Sequence, residues 1–137
     1  MPILTWLFGN RKKLDMVLHL SGPGTFRYDI VGESHYQDNL NSICGGKTYD
    51  GHKMVVDARV IHEENNPHDK NAVRIDILGK AVGYLNRDDA KNYRKQIADT
   101  GHPGIDATCS AMIVGGWDRD NGDAGHYGVK LDLPINE

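Results

Sequence analysis

The sequence predicts a mainly β, α+β fold: a small six-stranded β-barrel with two short α-helices. Three observations predict it. Apolar and polar residues alternate with the period of a strand in several separate stretches, Gly and Pro cut the chain into short elements, and only two stretches carry helical spacing. A length of 137 residues suits one domain of ordinary size. Closure into a barrel removes the edges that an open sheet would expose. A hydrophobic share of 39% is enough to build a core, which excludes a disordered chain.

Residues 1–20 read as an apolar and basic tail and 21–137 as the barrel domain. In the tail, Trp6, Leu7 and Phe8 precede Arg11, Lys12 and Lys13, the reverse of the charge order in a secretory signal. Aromatic bodies beside cations suit a lipid headgroup layer or a partner's groove. A terminus that packs on its own domain is the plainer reading, so membrane contact by the tail is not expected.

The first strand is expected within 25–31, where Phe26, Tyr28 and Ile30 alternate with Arg27, Asp29 and Val31. Tyr36, Leu40 and Ile43 then recur at helical spacing, and Gly45-Gly46 supplies a stop. A longer strand follows, with Met54, Val56, Ala58 and Val60 alternating with Val55, Asp57, Arg59 and Ile61. The polar run from Glu63 to Asn71 is turn-rich. Residues 72–85 form a β-hairpin that turns at Leu78-Gly79-Lys80.

Asn86 stands where an N-cap belongs, with Asp88 and Asp89 in the first turn of the second helix. Ala90, Tyr93 and Ile97 share one face of that helix, and Gly101 closes it. Two last strands lie within 105–114 and around Tyr127, Val129, Leu131 and Leu133. Between them, residues 115–125 form a long loop.

Sixteen Lys and Arg against nineteen Asp and Glu leave a net charge of −3, so no whole-molecule positive field draws the protein to nucleic acid. Phosphate binding therefore needs a local patch. The best one is the start of the second helix, where Arg87, Lys91, Arg94 and Lys95 outnumber Asp88 and Asp89. There, free backbone N–H groups and the helix dipole already favour an anion. Cys44 and Cys109 lie far apart and form no CxxC pair, which points to a reducing cytoplasm. No apolar run approaches the roughly 20 residues of a membrane span.

An enzyme reading would gather His62, Glu63, Glu64, His68 and Asp69 as a metal-dependent nuclease centre. These residues crowd into one turn, and no second ligand set supports them, so neither catalysis nor a metal or other cofactor is expected. The run from Asp118 to Asp123 is similar to a calcium loop but lacks the flanking helices and the closing Glu of an EF-hand. It reads as a surface loop.

The run Asn65-Asn66-Pro67-His68-Asp69-Lys70-Asn71-Ala72-Val73, followed by Gly79 and Val82-Gly83-Tyr84-Leu85, resembles the HIRAN domain family. Ile30-Val31-Gly32-Glu33-Ser34-His35-Tyr36 looks like that family's opening strand and turn, and the likeness extends over about residues 25–133. The resemblance implies an OB-like β-barrel. It also implies a non-catalytic module for single-stranded DNA with a free 3′ end, as in DNA repair or replication-fork processing. Barrels of this type stack bases on aromatics and track phosphates with cations.

By this resemblance Asp69 faces the terminal 3′-hydroxyl, a donor that a carboxylate accepts, while the carboxylate repels a phosphate at the same place. Asp69 also suits a plain turn cap, bonding the backbone near Asn71, and its two oxygens allow both roles. His68 and His35 stand where the family often has Tyr, beside Asp69 and Tyr36 respectively. A histidine there is a smaller stacking platform than a tyrosine. Tyr36 reads equally as a core residue of the first helix. Tyr84 and Arg87 match the family's aromatic-or-His and basic positions, and Arg87 reads otherwise as a partner of Asp88 or Asp89 on a solvated face. Trp117 is the nearest match for a stacking aromatic before the last strand.

The second reading is a protein-interaction module whose groove or strand edge recruits a partner ATPase (a helicase or translocase) or a nuclease. Salt separates the two, because a DNA groove loses affinity steeply as salt rises.

Overall fold

In chain order the elements are β1 (Leu18–His19), β2 (Tyr28–Asp29), a 3-10 turn (Glu33–His35), α1 (Gln37–Cys44) and β3 (His52–His62). They continue with β4 (Val73–Ile77), β5 (Lys80–Tyr84), α2 (Arg87–Asp99), β6 (Ala107–Gly115) and β7 (Tyr127–Asp132). The computed structural model describes residues 17–136. Of the segment read as an apolar and basic tail, residues 1–16 lie outside the described residues.

Six strands follow one another across one sheet in the order β2-β7-β6-β3-β4-β5, each neighbouring pair antiparallel. The ends of this path meet. Val31 N–H donates to the Tyr84 carbonyl at 2.7 Å and Tyr84 N–H to the Val31 carbonyl at 2.9 Å, so the sheet curls into a small OB-like barrel. β1 stands off the path, parallel to the start of β6, with Leu18 opposite Ala107.

Burial follows the alternation. Val60, Val73, Ile75, Val82, Ile113 and Leu131 fill the interior, joined by Leu40 of α1 and by Tyr93 and Ile97 of α2. The Asn86 side chain accepts from Asp89 N–H at 2.8 Å and caps α2 as expected. Leu78 and Gly79, with φ of 50° and 77°, make the left-handed two-residue turn that matches the twist of the β4–β5 hairpin.

The strand expected over 25–31 forms a ladder only at Tyr28–Asp29. Phe26 takes a left-handed φ of 48°, and the buried Asp132 carboxylate accepts Gly24 N–H at 2.9 Å. A side chain thus replaces the strand partner there. After Ile30 N–H donates to the Val129 carbonyl at 3.2 Å, the chain leaves β7 and crosses to β5 at Val31. Among the described residues no helix is long and apolar enough to cross a membrane.

Candidate nucleic-acid interface

The polar run after β3 is folded by its own side chains. Glu63 N–H donates to the Ala72 carbonyl at 3.0 Å and carries the β3–β4 ladder one step past the His62–Val73 pair. Inside the loop so closed, Asn66 Oδ1 accepts from His68 N–H at 2.8 Å and from Asp69 N–H at 3.1 Å. Asp69 Oδ1 accepts from Asn71 N–H at 2.9 Å. These are side-chain turns of the kind Asn and Asp favour. Asp69 therefore does cap its turn, with one oxygen; Oδ2 has no partner among the described residues.

α2 holds the loop from its other side. Arg94 donates from Nε to the Asn71 carbonyl and from Nη2 to the Ala72 carbonyl, both at 2.8 Å, and its Nη1 lies 3.6 Å from Glu64 Oε1. This corrects the four-cation track expected along the helix. Arg94 is committed to loop carbonyls, which leaves Arg87, Lys91 and Lys95 as exposed cations of α2 without an ion pair among the described residues.

A bulge decides where Tyr84 points. Ile75 lies opposite Gly83 and Asp76 opposite Ala81, so Val82 is the extra residue and the in–out alternation shifts by one. Val82 and Gly83 are consequently both buried, while the Tyr84 side chain leaves the core. Its hydroxyl donates to Glu63 Oε1 at 3.0 Å and Oε2 at 3.2 Å.

Glu63 is the hub of this corner. It also accepts from Asn66 Nδ2 at 3.0 Å and from Arg74 Nη1 at 2.9 Å, and Arg74 pairs in turn with Asp76 at 2.9 Å. Burial works to raise the Glu63 carboxyl, but the donors Tyr84, Asn66 and Arg74 together outweigh it and hold it below the usual carboxylate range. Burial first, then the Glu63 carboxylate, push the Tyr84 phenol upward, and the Tyr36 side chain adds in the same direction. Bonds to Asp76 raise the Arg74 guanidinium further still.

The 63–72 loop, the end of β5 and the start of α2 enclose a pocket of about 240 Å³ on the seam of the barrel, with Val31, Asn66, Asp69, Tyr84, Asn86 and Arg87 on its wall. Three residues singled out from the sequence, Asp69, Tyr84 and Arg87, thus share one pocket. Asn86 bonds Asp89 N–H and Ala90 N–H, which leaves the N–H groups of Arg87 and Asp88 without a protein acceptor among the described residues. The wall accordingly offers a carboxylate oxygen, a guanidinium and the positive end of a helix.

Around it, His68 is exposed on the same loop, His35 is exposed at the end of the 3-10 turn, and Lys91 is exposed one turn along α2 from Arg87. Tyr36 is half-buried at the N-cap position of α1 rather than in the core. Trp117 is not on the pocket wall. It belongs to the loop after β6, where it donates from Nε1 to Asp123 Oδ1 at 3.2 Å, and the Arg119 guanidinium stands 5.7 Å from its ring. Among the described residues no three His, Cys, Asp or Glu side chains come together to hold a metal ion.

Sequence reasoning passed over Glu63 as an organiser and misread Arg94. Asn66 carried a signal, since an Asn before Pro in a polar run favours an Asx turn. Glu63 carried none, because its partners Arg74 and Tyr84 are 11 and 21 residues away.

Fold and site together define a small curled β-barrel domain with a polar pocket on its seam. Among solved structures, the chain is similar to the crystal structure of the HIRAN domain of human HLTF, at 19% identity over 80% of this chain and 78% of that one, with a TM-score of 0.35. No family model and no curated protein matches the chain.

Proposed function

We propose that the seam pocket binds the 3′ end of single-stranded DNA, without catalysis, in DNA repair or replication-fork processing. The observation that carries this reading is the shared wall of Asp69 and Arg87, with Asp69 Oδ2 unpartnered beside a helix start. A terminal 3′-hydroxyl donates to a carboxylate, whereas a continuing strand would bring a phosphate against it. The preceding phosphate meets Arg87 and the free N–H groups of α2. Tyr84 supplies a ring whose orientation its bond to Glu63 restrains, and Tyr36 and His68 offer further stacking surfaces. Lys91 continues the phosphate contacts, and Trp117 meets the strand farther from its end.

The test is fluorescence anisotropy of a short labelled oligonucleotide ending in a 3′-hydroxyl or a 3′-phosphate, at two salt concentrations. Tighter binding of the hydroxyl end, weakened by salt, is expected. Asp69→Asn keeps the oxygen that caps Asn71 but removes the charge, so it should bind both ends alike. Equal binding of the two ends by the unaltered protein, or no binding at low salt, would overturn the reading.

A further inference from the structure

β3 is longer than the strand beside it. β6 pairs with it from His52 to Val60, but β4 pairs only from Arg59 to His62 and then turns back at Leu78 and Gly79. The flank of β3 from Lys53 to Asp57 therefore has no neighbouring strand among the described residues. The Glu63 N–H bond to Ala72 lies on the β4 side, and ladder bonding alternates along a strand. By that parity, Lys53, Val55 and Asp57 turn their own N–H and C=O groups to the open flank. Their side chains are exposed, and Val55 keeps 57% of its surface in water.

An uncovered strand edge invites another strand, and proteins commonly blunt such edges with charge. Here the charges read the same way twice. The segment Lys53-Met54-Val55-Val56-Asp57, paired antiparallel with itself about Val55, sets Lys53 opposite Asp57, Met54 opposite Val56 and Val55 opposite Val55. Neither Lys53 nor Asp57 has an ion-pair partner among the described residues. A strand without an acid opposite Lys53 and a base opposite Asp57 leaves these charges uncompensated at the edge; a second copy supplies both.

We propose that a second copy of this chain covers this flank, the two β3 strands pairing antiparallel across a two-fold axis at Val55. Lys53 and Asp57 then form two symmetric cross-strand pairs, and Val55 is buried against its counterpart. The pairs 53–57, 55–55 and 57–53 are all of the hydrogen-bonded kind, each exchanging both N–H···O bonds. The result is one sheet continued through two barrels.

Sedimentation velocity of the full chain, from low to high micromolar concentration, tests this. A concentration-dependent dimer is expected. Asp57→Lys and Lys53→Asp each set like charges opposite one another twice and should raise the dimer dissociation constant roughly tenfold or more. The double variant Lys53→Asp with Asp57→Lys should restore it. Circular dichroism melting of the single variants, expected to match a monomeric sample of the parent, separates lost pairing from lost folding. A monomer at every concentration, a dimer indifferent to the single reversals, or a double variant that fails to recover would overturn the proposal.

Discussion

Tyr84 donates its hydroxyl to the Glu63 carboxylate at 3.0 Å, joining the last residue of β5 to the first residue beyond β3. Because Val31 bonds the backbone of Tyr84, one residue serves both the closure of the barrel and the corner that supports the loop of Asp69. Disturbing this corner should therefore register in stability and in the site together.

Tyr84→Phe keeps the ring and removes the donor, and should cost about 1 kcal/mol in urea denaturation at neutral pH. Glu63→Gln should cost more, since it removes the charge paired with Arg74 and replaces one acceptor oxygen with a donor among the donors Tyr84, Asn66 and Arg74. Glu63 titrates in the folded protein below its ordinary value of 4.5. Its contribution is thus complete above that pH and is lost as pH falls beneath it. Glu63→Gln should flatten the part of the acid stability profile that lies below 4.5.

Arg87 and Arg94 sit on one helix and should behave oppositely. Arg94→Ala strips two loop carbonyls of their donors and should cost about 2 kcal/mol in denaturant unfolding. Arg87→Ala should leave the melting temperature unchanged. If the pocket takes DNA as proposed, it should lower the slope of log affinity against log salt by about 0.7.

Gly83 marks the seam. A Cβ there would stand 2.7 Å from the Val31 carbonyl oxygen and 2.7 Å from Ile30 Cδ1, and the backbone that closes the barrel cannot move aside cheaply. Gly83→Val should cost about 3 kcal/mol or more, read as a fall in melting temperature. Gly79→Ala, at an open turn with nothing within 4 Å, should cost less.

His62 is buried, both ring nitrogens lack a hydrogen-bond partner among the described residues, and its ring centroid lies 5.6 Å from that of Tyr93. Burial, then the charge of Arg94, hold its pKa below the ordinary 6.5 against the pull of Asp106 and Glu64. As pH falls through 6.5 the unfolded chain takes the proton first, so stability declines from there downward. His62→Leu should flatten that decline in melting temperature between neutral and mildly acidic pH. Superimposable pH profiles for the two proteins would show that another group is responsible.

Much of the architecture was legible in local pattern. The period of two along β3, β4 and β7 and the Asn86 cap are short-range signals, and each stands in the structure where the residues put it. The side-chain turn at Asp69 was legible for the same reason, since Asp69 reaches Asn71 two residues on. The strand over 25–31 was overread, because alternation says which face a residue prefers and not whether a neighbour arrives to pair with it. Arg94 was misread because its charge is visible in the sequence and the carbonyls of Asn71 and Ala72 are not.

Taken alone, the sequence determined the type and order of most elements, the alternation that builds the core and the chemical groups available to a site. Tertiary structure decided which of those groups meet. The bulge at Val82 turns Tyr84 outward, the bridge from Val31 to Tyr84 closes the barrel, Arg94 is drawn to the loop, and the early turn at Leu78 leaves a flank of β3 open. The physical reason is range. Propensity and periodicity act over a few residues, whereas these contacts join segments tens of residues apart and exist only once the sheet has curled.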